Sequence, residues 1–505
     1  MSAVTLPSQG GASQLAAVDL GSNSFHLVVA QVSDGHVQII DRLRETVRLA
    51  GGLDRHSKLL AEQDMERAIA CLERFGERLR GLPMQAVRAV GTNTLRSARN
   101  GDMFRRRAEA ALGHRVEVIA GREEARLIYL GVAHGAGGAT HRRLVMDIGG
   151  GSTEFIVGEG FDPVHMESLY MGCVSMSREY FADGKISRAA MAAAELAARH
   201  ELEPIEATFK TASHDVAIGC SGTIKAIAAV CRAHGWCDHR LTAGAVARLR
   251  KAVLDAGHVD KLELKELRAD RKPVLAGGLA VLGASFQALE IESMEVSELA
   301  LREGLLYDLL GRMRHEDVRG RTVRSLVERY VVDAEQGARV ERTALVCLRQ
   351  AAPAWAMRAE DWEGVLSWAA RLHEVGLAVS HNQYHKHGAY LLQCSDLPGF
   401  SRQEQALLAS LVRGHRRKFP HSVFEALPVD DQIPARRLCV LLRMAVALRR
   451  SRAATAMPRF TLAVTGNRLE LRLPEGWLEG HPLTRADLEE EAAYLRESGF
   501  ELAFC

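Results

Sequence analysis

The stretch His141–Gly160 reads H-R-R-L-V-M-D-I-G-G-G-S-T-E-F-I-V-G-E-G. Leu144 to Met146 is a short apolar run and Asp147 ends it. Three glycines follow, then Ser152, Thr153 and Glu154, and Phe155 to Val157 resumes the apolar pattern. That order predicts a strand, a tight Gly-rich turn and a return strand. Gly149, Gly150 and Gly151 remove every Cβ from the bend, so backbone N–H groups can close on an anion. Ser152 and Thr153 add hydroxyl donors, and Asp147 is the residue type that holds a hard cation beside phosphate oxygens. The plain alternative is a Gly-rich hairpin with a capping aspartate. A second copy favours the phosphate-and-metal turn: Leu15 to Val18, then Asp19-Leu20-Gly21-Ser22-Asn23-Ser24, then Phe25 to Val32. Repetition at this scale predicts two related lobes, and two such turns face to face could grip a phosphate from both sides.

The chain has 505 residues, enough for three or four domains with substantial cores. A formal charge of +2 with 25% charged residues gives no global basicity, so no nucleic-acid partner is expected and any polyanion site must be local. Nine cysteines include no C-x-x-C pair, which points to reduced thiols rather than a disulfide or zinc framework. The first ten residues lack the basic and apolar regions of a signal peptide. No run of about 18 apolar residues offers a membrane span. A cytoplasmic protein is expected, with peripheral membrane association left open.

Further along, Ser33-Asp34-Gly35 predicts a hairpin turn into Val37 to Ile40, and Ala61 to Arg80 a helix with Met65, Ile69, Leu72, Phe75 and Leu79 on one face. Ala86 to Val90 predicts a strand leading into Gly91-Thr92-Asn93-Thr94-Leu95-Arg96. That turn could present N–H groups to an anion, or simply be a helix capped by Asn93 or Thr94. Arg96 reads as a bidentate fork for phosphate or as a solvated helix arginine. After a strand at Val116 to Ile119, Gly121-Arg122-Glu123-Glu124-Ala125 opens an amphipathic helix. Its two glutamates either complement the helix dipole or supply a general base for water. In the second lobe, Met191 to Phe209 reads as a helix. Val216 to Gly219, Cys220-Ser221-Gly222-Thr223 and Ile224 to Val230 repeat strand, small-residue turn and helix. Val296 to Leu310 reads as the helix that closes the lobe. From about Arg314 helices dominate: Val323 to Val331, Ala338 to Gln350, Asp361 to Val375, Arg402 to Arg413 and Pro434 to Arg449. Arg413-Gly414-His415-Arg416-Arg417-Lys418 is the sharpest basic cluster, a solvated face or a polyanion contact. Phe460 to Val464 and Arg468 to Leu473 predict a terminal hairpin turning at Thr465-Gly466-Asn467.

Together these motifs resemble the exopolyphosphatase and guanosine pentaphosphate phosphatase (Ppx/GppA) family. The resemblance rests on D-L-G-S-N-S-F-H-L-V-V-A (19–30), G-T-N-T-L-R (91–96), G-R-E-E-A-R-L-I-Y (121–129), D-I-G-G-G-S-T-E (147–154), G-C-S-G-T-I-K-A (219–226), R-K-P-V-L-A-G-G-L-A (271–280) and L-H-E-V-G-L (372–377). It implies an α/β fold of two actin-like lobes (the sugar kinase and chaperone ATPase type, ribonuclease H-like), at 1–133 and 134–313. An all-α HD-like domain at 314–455 and a small C-terminal α+β piece at 456–505 would follow. The activity it implies is exopolyphosphatase, releasing orthophosphate from inorganic polyphosphate, with guanosine pentaphosphate 5′-phosphatase as the alternative. A small-molecule kinase and a non-catalytic sensor of polyphosphate or alarmone are readings of other classes.

Carried onto this chain, the resemblance makes Glu124 the catalytic base, with Glu123 as fallback, and Glu154 a cleft carboxylate needed for activity. Asp19 and Asp147 would hold Mg²⁺ or another divalent ion, and K⁺ is a candidate activator. Gly21, Ser22, Asn23 and Ser24, with Gly149, Gly150, Gly151, Ser152 and Thr153, would form the two phosphate turns. Thr92, Asn93, Arg96, Ser221 and Gly222 are further candidate phosphate contacts. The C-terminal domain departs from the HD pattern: the pair reads His373-Glu374, no histidine occurs in Glu341 to Gln350, and Val446 stands where a late aspartate is expected. A second metal site is therefore not expected there, and His381, His385 and His387 read as polar surface or polyanion contacts. His415, Arg416, Arg417 and Lys418 would guide a long substrate through a channel formed by a homodimer.

Overall fold

Apolar runs broken by Asp-Gly turns pair as hairpins, and each hairpin then receives parallel strands returned by helices. The structure is a computed structural model that describes residues 13–33, 36–54, 56–135, 141–313, 317–453 and 457–505. The expected turn at Asp34-Gly35 lies outside them. Two units divide the chain, Met1–Glu316 and Asp317–Cys505.

The first unit holds two sheets. One contains β1 (Ser13–Leu20), β2 (Ser24–Ser33), β3 (His36–Thr46), β4 (Val87–Gly91) and β5 (Val116–Val118), in the order β3-β2-β1-β4-β5. The other contains β6 (Arg142–Ile148), β7 (Thr153–Glu159), β8 (Asp162–Leu169), β9 (Val216–Cys220), β10 (Leu241–Thr242) and β11 (Ser293–Val296), in the order β10-β11-β9-β6-β7-β8. In each, three antiparallel strands are extended by two parallel ones: β4 joins β1 as β9 joins β6. The repeat seen in the two Asp-Gly turns is thus a repeat of topology, and both turns sit at matching strand ends. This is the actin-like arrangement. Central strands are covered on both faces, which is why they read as continuous apolar runs rather than alternating ones.

Helix Gly121–Gly135 packs against helix Leu301–Met313, with Gly131 and Gly304 at the crossing; a Cβ on Gly131 would overlap the carbonyl of Ala300, just before the second helix, and one on Gly304 that of Leu127. Leu127, Leu305, Val28 and Ile156 share one core there, so the two sheets of this unit are joined through apolar packing. The expected helix over 296–310 is divided: β11 ends at Val296 and the helix starts at Leu301. Ser293–Val296 is four residues with one fully buried side chain, Met294, too short to show a strand period.

In the second unit, helices Val318–Arg329, Ala334–Ala351, Ala359–Leu372, Tyr384–Cys394, Arg402–Gly414 and Val429–Leu448 surround one core. Strands β12 (Thr461–Thr465), β13 (Arg468–Arg472) and β14 (Glu501–Phe504), with helix Pro482–Glu497, complete it. Leu462, Leu469, Leu471 and Leu488 lie in the same core as Val340, Leu408 and Leu441. The hairpin is as expected, while helices 384–394 and 482–497 and strand β14 carry no clear sequence period.

Candidate active site

Strand pairing in β6–β7 ends at Ile148 opposite Thr153, and the Gly149 N–H closes the turn by donating to Ser152 O at 2.9 Å. The carbonyls of Gly149 and Gly150 accept from Cys173, Val174 and Ser175, so the start of helix Cys173–Tyr180 is seated on this turn. Opposite it stands the first turn. A Cβ on Gly150 would lie 2.8 Å from Ser22 Cβ, and one on Gly151 would lie 2.7 Å from Asn93 Oδ1. Absent side chains therefore let the turns at 19–24, 92–96 and 147–153 meet, the close approach that glycine permits. Thr94 Oγ1 donates to Ser22 Oγ at 2.8 Å, and the helix Asn93–Ser97 has no side-chain cap at Thr92. The capping alternative for this segment is corrected: no side chain caps the helix, and the Thr94 hydroxyl is spent on the neighbouring turn.

Four carboxylates gather beneath these turns. Asp19 and Asp147 end the equivalent strands β1 and β6, and Glu154 lies across from Asp147 on β7. Glu124, from the first turn of helix Gly121–Gly135, completes the group. Burial pushes the Asp19 carboxyl up to about 8, with Glu124 adding to the rise and Arg302 opposing it. Asp147 is raised to about 6, again by burial. Glu154, 1% exposed, is pushed well up by burial and then by Glu124 and Asp147. Ser168 Oγ donates to it at 2.8 Å. Oδ1 of Asp19 is sealed from solvent and finds no hydrogen-bond partner. Such an orphaned acceptor in a crowded acidic pocket is a place for a cation.

The two adjacent glutamates part company. Glu123 is clamped by Arg126 through Nε at 2.8 Å and Nη2 at 2.9 Å, with Arg88 Nη2 at 3.8 Å. Asp308 bridges the same two arginines, and this network is buried. Glu123 is structural, which removes it as the fallback base. Glu124 faces the other carboxylates and accepts from Arg96 Nη1 at 2.7 Å. Arg96 is half-buried and its Nη1 also donates to Ile119 O at 2.9 Å, so it is not a solvated arginine.

A family model described as the Ppx/GppA phosphatase family matches residues 28–313, and one described as Ppx/GppA phosphatase, domain III, matches residues 318–492. The chain belongs to the Ppx/GppA phosphatase family. It is thereby a hydrolase of phosphoanhydride bonds. A guanosine-5′-triphosphate,3′-diphosphate pyrophosphatase of Vibrio vulnificus is 41% identical over 98% of this chain and 99% of its own. A protein of the same name from Pseudoalteromonas translucida is 39% identical over 96% and 97%. Among solved structures, an exopolyphosphatase from Cytophaga hutchinsonii matches with a TM-score of 0.53 and 25% identity, over 60% of this chain and 98% of its own. The Aquifex aeolicus PPX-GPPA enzyme gives 0.50 and 26%, over 59% and 99%.

Arg302 and Arg44 carry no motif that marks them in the sequence. Arg302 Nη1 donates to His26 Nδ1 at 3.3 Å, and His26 is pushed down to about 3 by burial and by Arg302, Arg44, Arg271 and Lys225. Strand register carries the signal: Asp19 and His26 are directly paired. Arg271 lies over the Ser221-Gly222 turn, where a Cβ on Gly222 would overlap its guanidinium. Ser221 has a left-handed φ of 82° and its Oγ accepts from Ile224 N–H at 3.3 Å, so its hydroxyl starts the helix.

The second unit corrects two expectations. His415, which the sequence places in an exposed basic run, is 1% exposed, and burial lowers its pKa well below the ordinary value, so it stays neutral. His385 is likewise buried rather than surface, and is pushed down to about 4 by burial and the cations of Arg413 and Arg416. The run turns inward at His415 because Gly414 ends a helix packed on Cys439 and Phe424. Arg417 and Lys418 are exposed and Arg416 is half-buried. No helix among the described residues is long and apolar enough to cross a membrane.

Proposed function

We propose that the chain hydrolyses the terminal 5′-phosphoanhydride bond of guanosine pentaphosphate, giving the tetraphosphate and orthophosphate. The observation that carries the chemistry is the convergence of two glycine turns over Glu124, Asp19, Asp147 and Glu154. The substrate is drawn from relatives that run the length of the chain under that name. It displaces polyphosphate, ranked first on sequence, to second place.

In this reading Glu124 is the base. A water held by its carboxylate attacks the terminal phosphorus; the water's proton passes to Glu124, and the P–O bond to the bridging oxygen breaks. The leaving oxygen departs with the bonding pair on the remaining phosphate chain. The step needs in-line placement and charge neutralisation rather than a covalent intermediate. Arg96 orients Glu124 through the 2.7 Å contact. The N–H groups and hydroxyls of residues 21–24 and 149–153 hold the phosphate, with Thr92, Asn93, Ser221 and Gly222 beside them. Preorganised donors of this kind stabilise charge as it develops.

Asp19 and Asp147 fit a divalent cation such as Mg²⁺: Asp19 Oδ1 lacks any partner, and the carboxylates raise one another's pKa. No ready-made group of three ligating residues stands among the described residues, so phosphate oxygens and water would complete the shell. The ion would neutralise charge on the phosphate oxygens.

Polyphosphate remains the second reading because Arg417 and Lys418 are exposed and Arg416 half-buried, and because the similar Cytophaga hutchinsonii protein is an exopolyphosphatase. Orthophosphate release from guanosine pentaphosphate and from long-chain polyphosphate at equal terminal-phosphate concentration separates the two. Preference for the nucleotide, lost in Glu124→Gln, supports the proposal; preference for polyphosphate overturns its substrate and leaves its chemistry.

A further inference from the structure

The second unit contains a cavity of about 370 Å³, well away in sequence from every residue of the site above. Its walls come from six helices of this unit and the turns after them, and include His373, Glu374, Tyr384, His415, Arg416 and Arg417. Volumes of a few hundred Å³ suit small ligands. The HD resemblance would place a metal here, but the donors do not fit one. Arg452 occupies Glu374 Oε1 and also bonds Asp333 at 3.0 Å, and Val446 lines the wall where a carboxylate would be needed. A guanidinium stands where a metal would have to meet Glu374.

The charges of the cavity sort cleanly. Arg443 is consumed by Glu491 and by the carbonyls of Gly414, at 2.5 Å, and Arg417, at 2.6 Å. Arg450 is paired with Asp487 at 2.7 Å. Among the described residues Arg416 and Arg417 have no carboxylate partner. Arg416 Cζ lies 4.4 Å from the centroid of the Tyr384 ring, a cation–π contact that holds the guanidinium at the cavity wall. Arg417 holds a left-handed φ of 62°, a conformation that costs about 1 kcal/mol in a non-glycine residue. Its backbone is pinned there by the bond to Arg443.

Two acceptors face the same space. His373 and His415 each direct Nδ1 at a backbone carbonyl, of Ala370 and Val412, both at 2.6 Å. A carbonyl only accepts, so Nδ1 carries the proton and Nε2 is a bare acceptor in each. The rings stand perpendicular, 5.4 Å apart, and both are 1% exposed. Nε2 of His415 reaches no closer partner than Tyr384 OH at 3.5 Å. Oε2 of Glu374 is buried with no partner.

We propose that this cavity is a binding site for a small phosphorylated molecule, whose phosphate is held by Arg416 and Arg417 and whose hydroxyl or amino donors meet Nε2 of His373 and His415 and Oε2 of Glu374. Burial keeps both imidazoles uncharged, in keeping with the acceptor role. Paired guanidinium groups recognise phosphate oxygens bidentately, and the buried acceptors require a ligand that brings its own donors. Inorganic phosphate and a nucleoside monophosphate share the first feature, and only the second brings ribose and base donors.

The test uses the full chain, with inorganic phosphate and with guanosine monophosphate in separate arms, followed by hydrogen exchange at peptide resolution. Guanosine monophosphate should slow exchange in 384–388 and 413–418. Inorganic phosphate acting equally well would assign the site to free phosphate; acting more weakly would assign it to the nucleotide. Arg416→Gln should weaken that protection at least tenfold in ligand concentration. Arg417→Gly guards against misfolding: it relieves the left-handed backbone, so it should melt no lower than the parent while binding at least tenfold more weakly. Protection confined to 19–24 and 149–153 with either probe, or protection at 413–418 undiminished in both variants, would overturn the proposal.

Discussion

Two adjacent carboxylates, one amide substitution each, should fail in opposite ways. Glu123 and Asp308 are the buried carboxylates that neutralise Arg88 and Arg126, with the part-exposed Glu117 also bonded to Arg88 at 3.1 Å. Glu123→Gln leaves excess positive charge at side chains no more than a tenth exposed. Breaking a buried pair of this kind costs about 3–5 kcal/mol. At roughly 2–4 °C per kcal/mol for a unit of this size, the melting point should fall by about 6–20 °C. Turnover, measured well below that melting point, should stay within a few-fold of the parent. Glu124→Gln removes the base, and general-base assistance is typically about 10²–10⁴-fold, or roughly 3–5 kcal/mol of barrier. Its melting point should hold or rise, because one of four mutually repelling carboxylates becomes neutral while Arg96 keeps its bond to Ile119 O. Orthophosphate release from guanosine pentaphosphate and a thermal melt on each variant are sufficient. If Glu123→Gln loses turnover by 10²-fold or more with an unchanged melting point, the division of labour argued here is wrong.

Three further outcomes follow from the same geometry. The Asp19 carboxyl, raised from 3.8 to about 8, keeps its proton in the folded state where the unfolded chain has lost it, so stability falls as pH rises across that window. At pH 7 this amounts to at most ~4 kcal/mol. Asp19→Asn should therefore melt several degrees above the parent at pH 7.5 without divalent ions and should lose most of the stabilisation by Mg²⁺. A lower melting point together with an undiminished Mg²⁺ response would contradict the assignment. In the second unit His373, His385 and His415 are held neutral, and the unfolded chain takes up their protons first. Stability there should fall as pH drops from about 6.5 toward 4, read by the fluorescence of Trp355, Trp362, Trp368 and Trp477; a flat profile would be incompatible with the burial of these imidazoles. Finally, Gly304→Ala places a methyl into Leu127 O at the helix crossing and should cost about 3 kcal/mol or more; a parental melting point would show that the crossing relaxes freely.

Much of this was legible in the order of residues. The two Asp-Gly turns, their flanking apolar runs and the basic C-terminal cluster are local signals: a turn needs glycine, a buried strand needs continuous apolar residues, and both act over a few positions. From these the repeated lobes followed, and the structure shows the same five-strand order twice, with β10 added at the edge of the second sheet. What stayed hidden was set by distance in space. Whether Glu123 or Glu124 faces the cleft depends on where Arg88 and Asp308 lie, 35 and 185 positions away from Glu123 by their numbers. That Arg96 meets Glu124, 28 positions further along, is likewise set by the fold and not by local sequence. His415 sits in a run of cations that reads as solvated, yet the end of its helix points the ring inward against His373. Short elements such as β11 and β14 were invisible because four residues carry too little periodicity. Local sequence determined the turns and strands, because backbone conformation answers to neighbouring residues. Only the tertiary structure decided which charges meet, because an ion pair or a raised carboxyl pKa depends on groups brought together from remote parts of the chain.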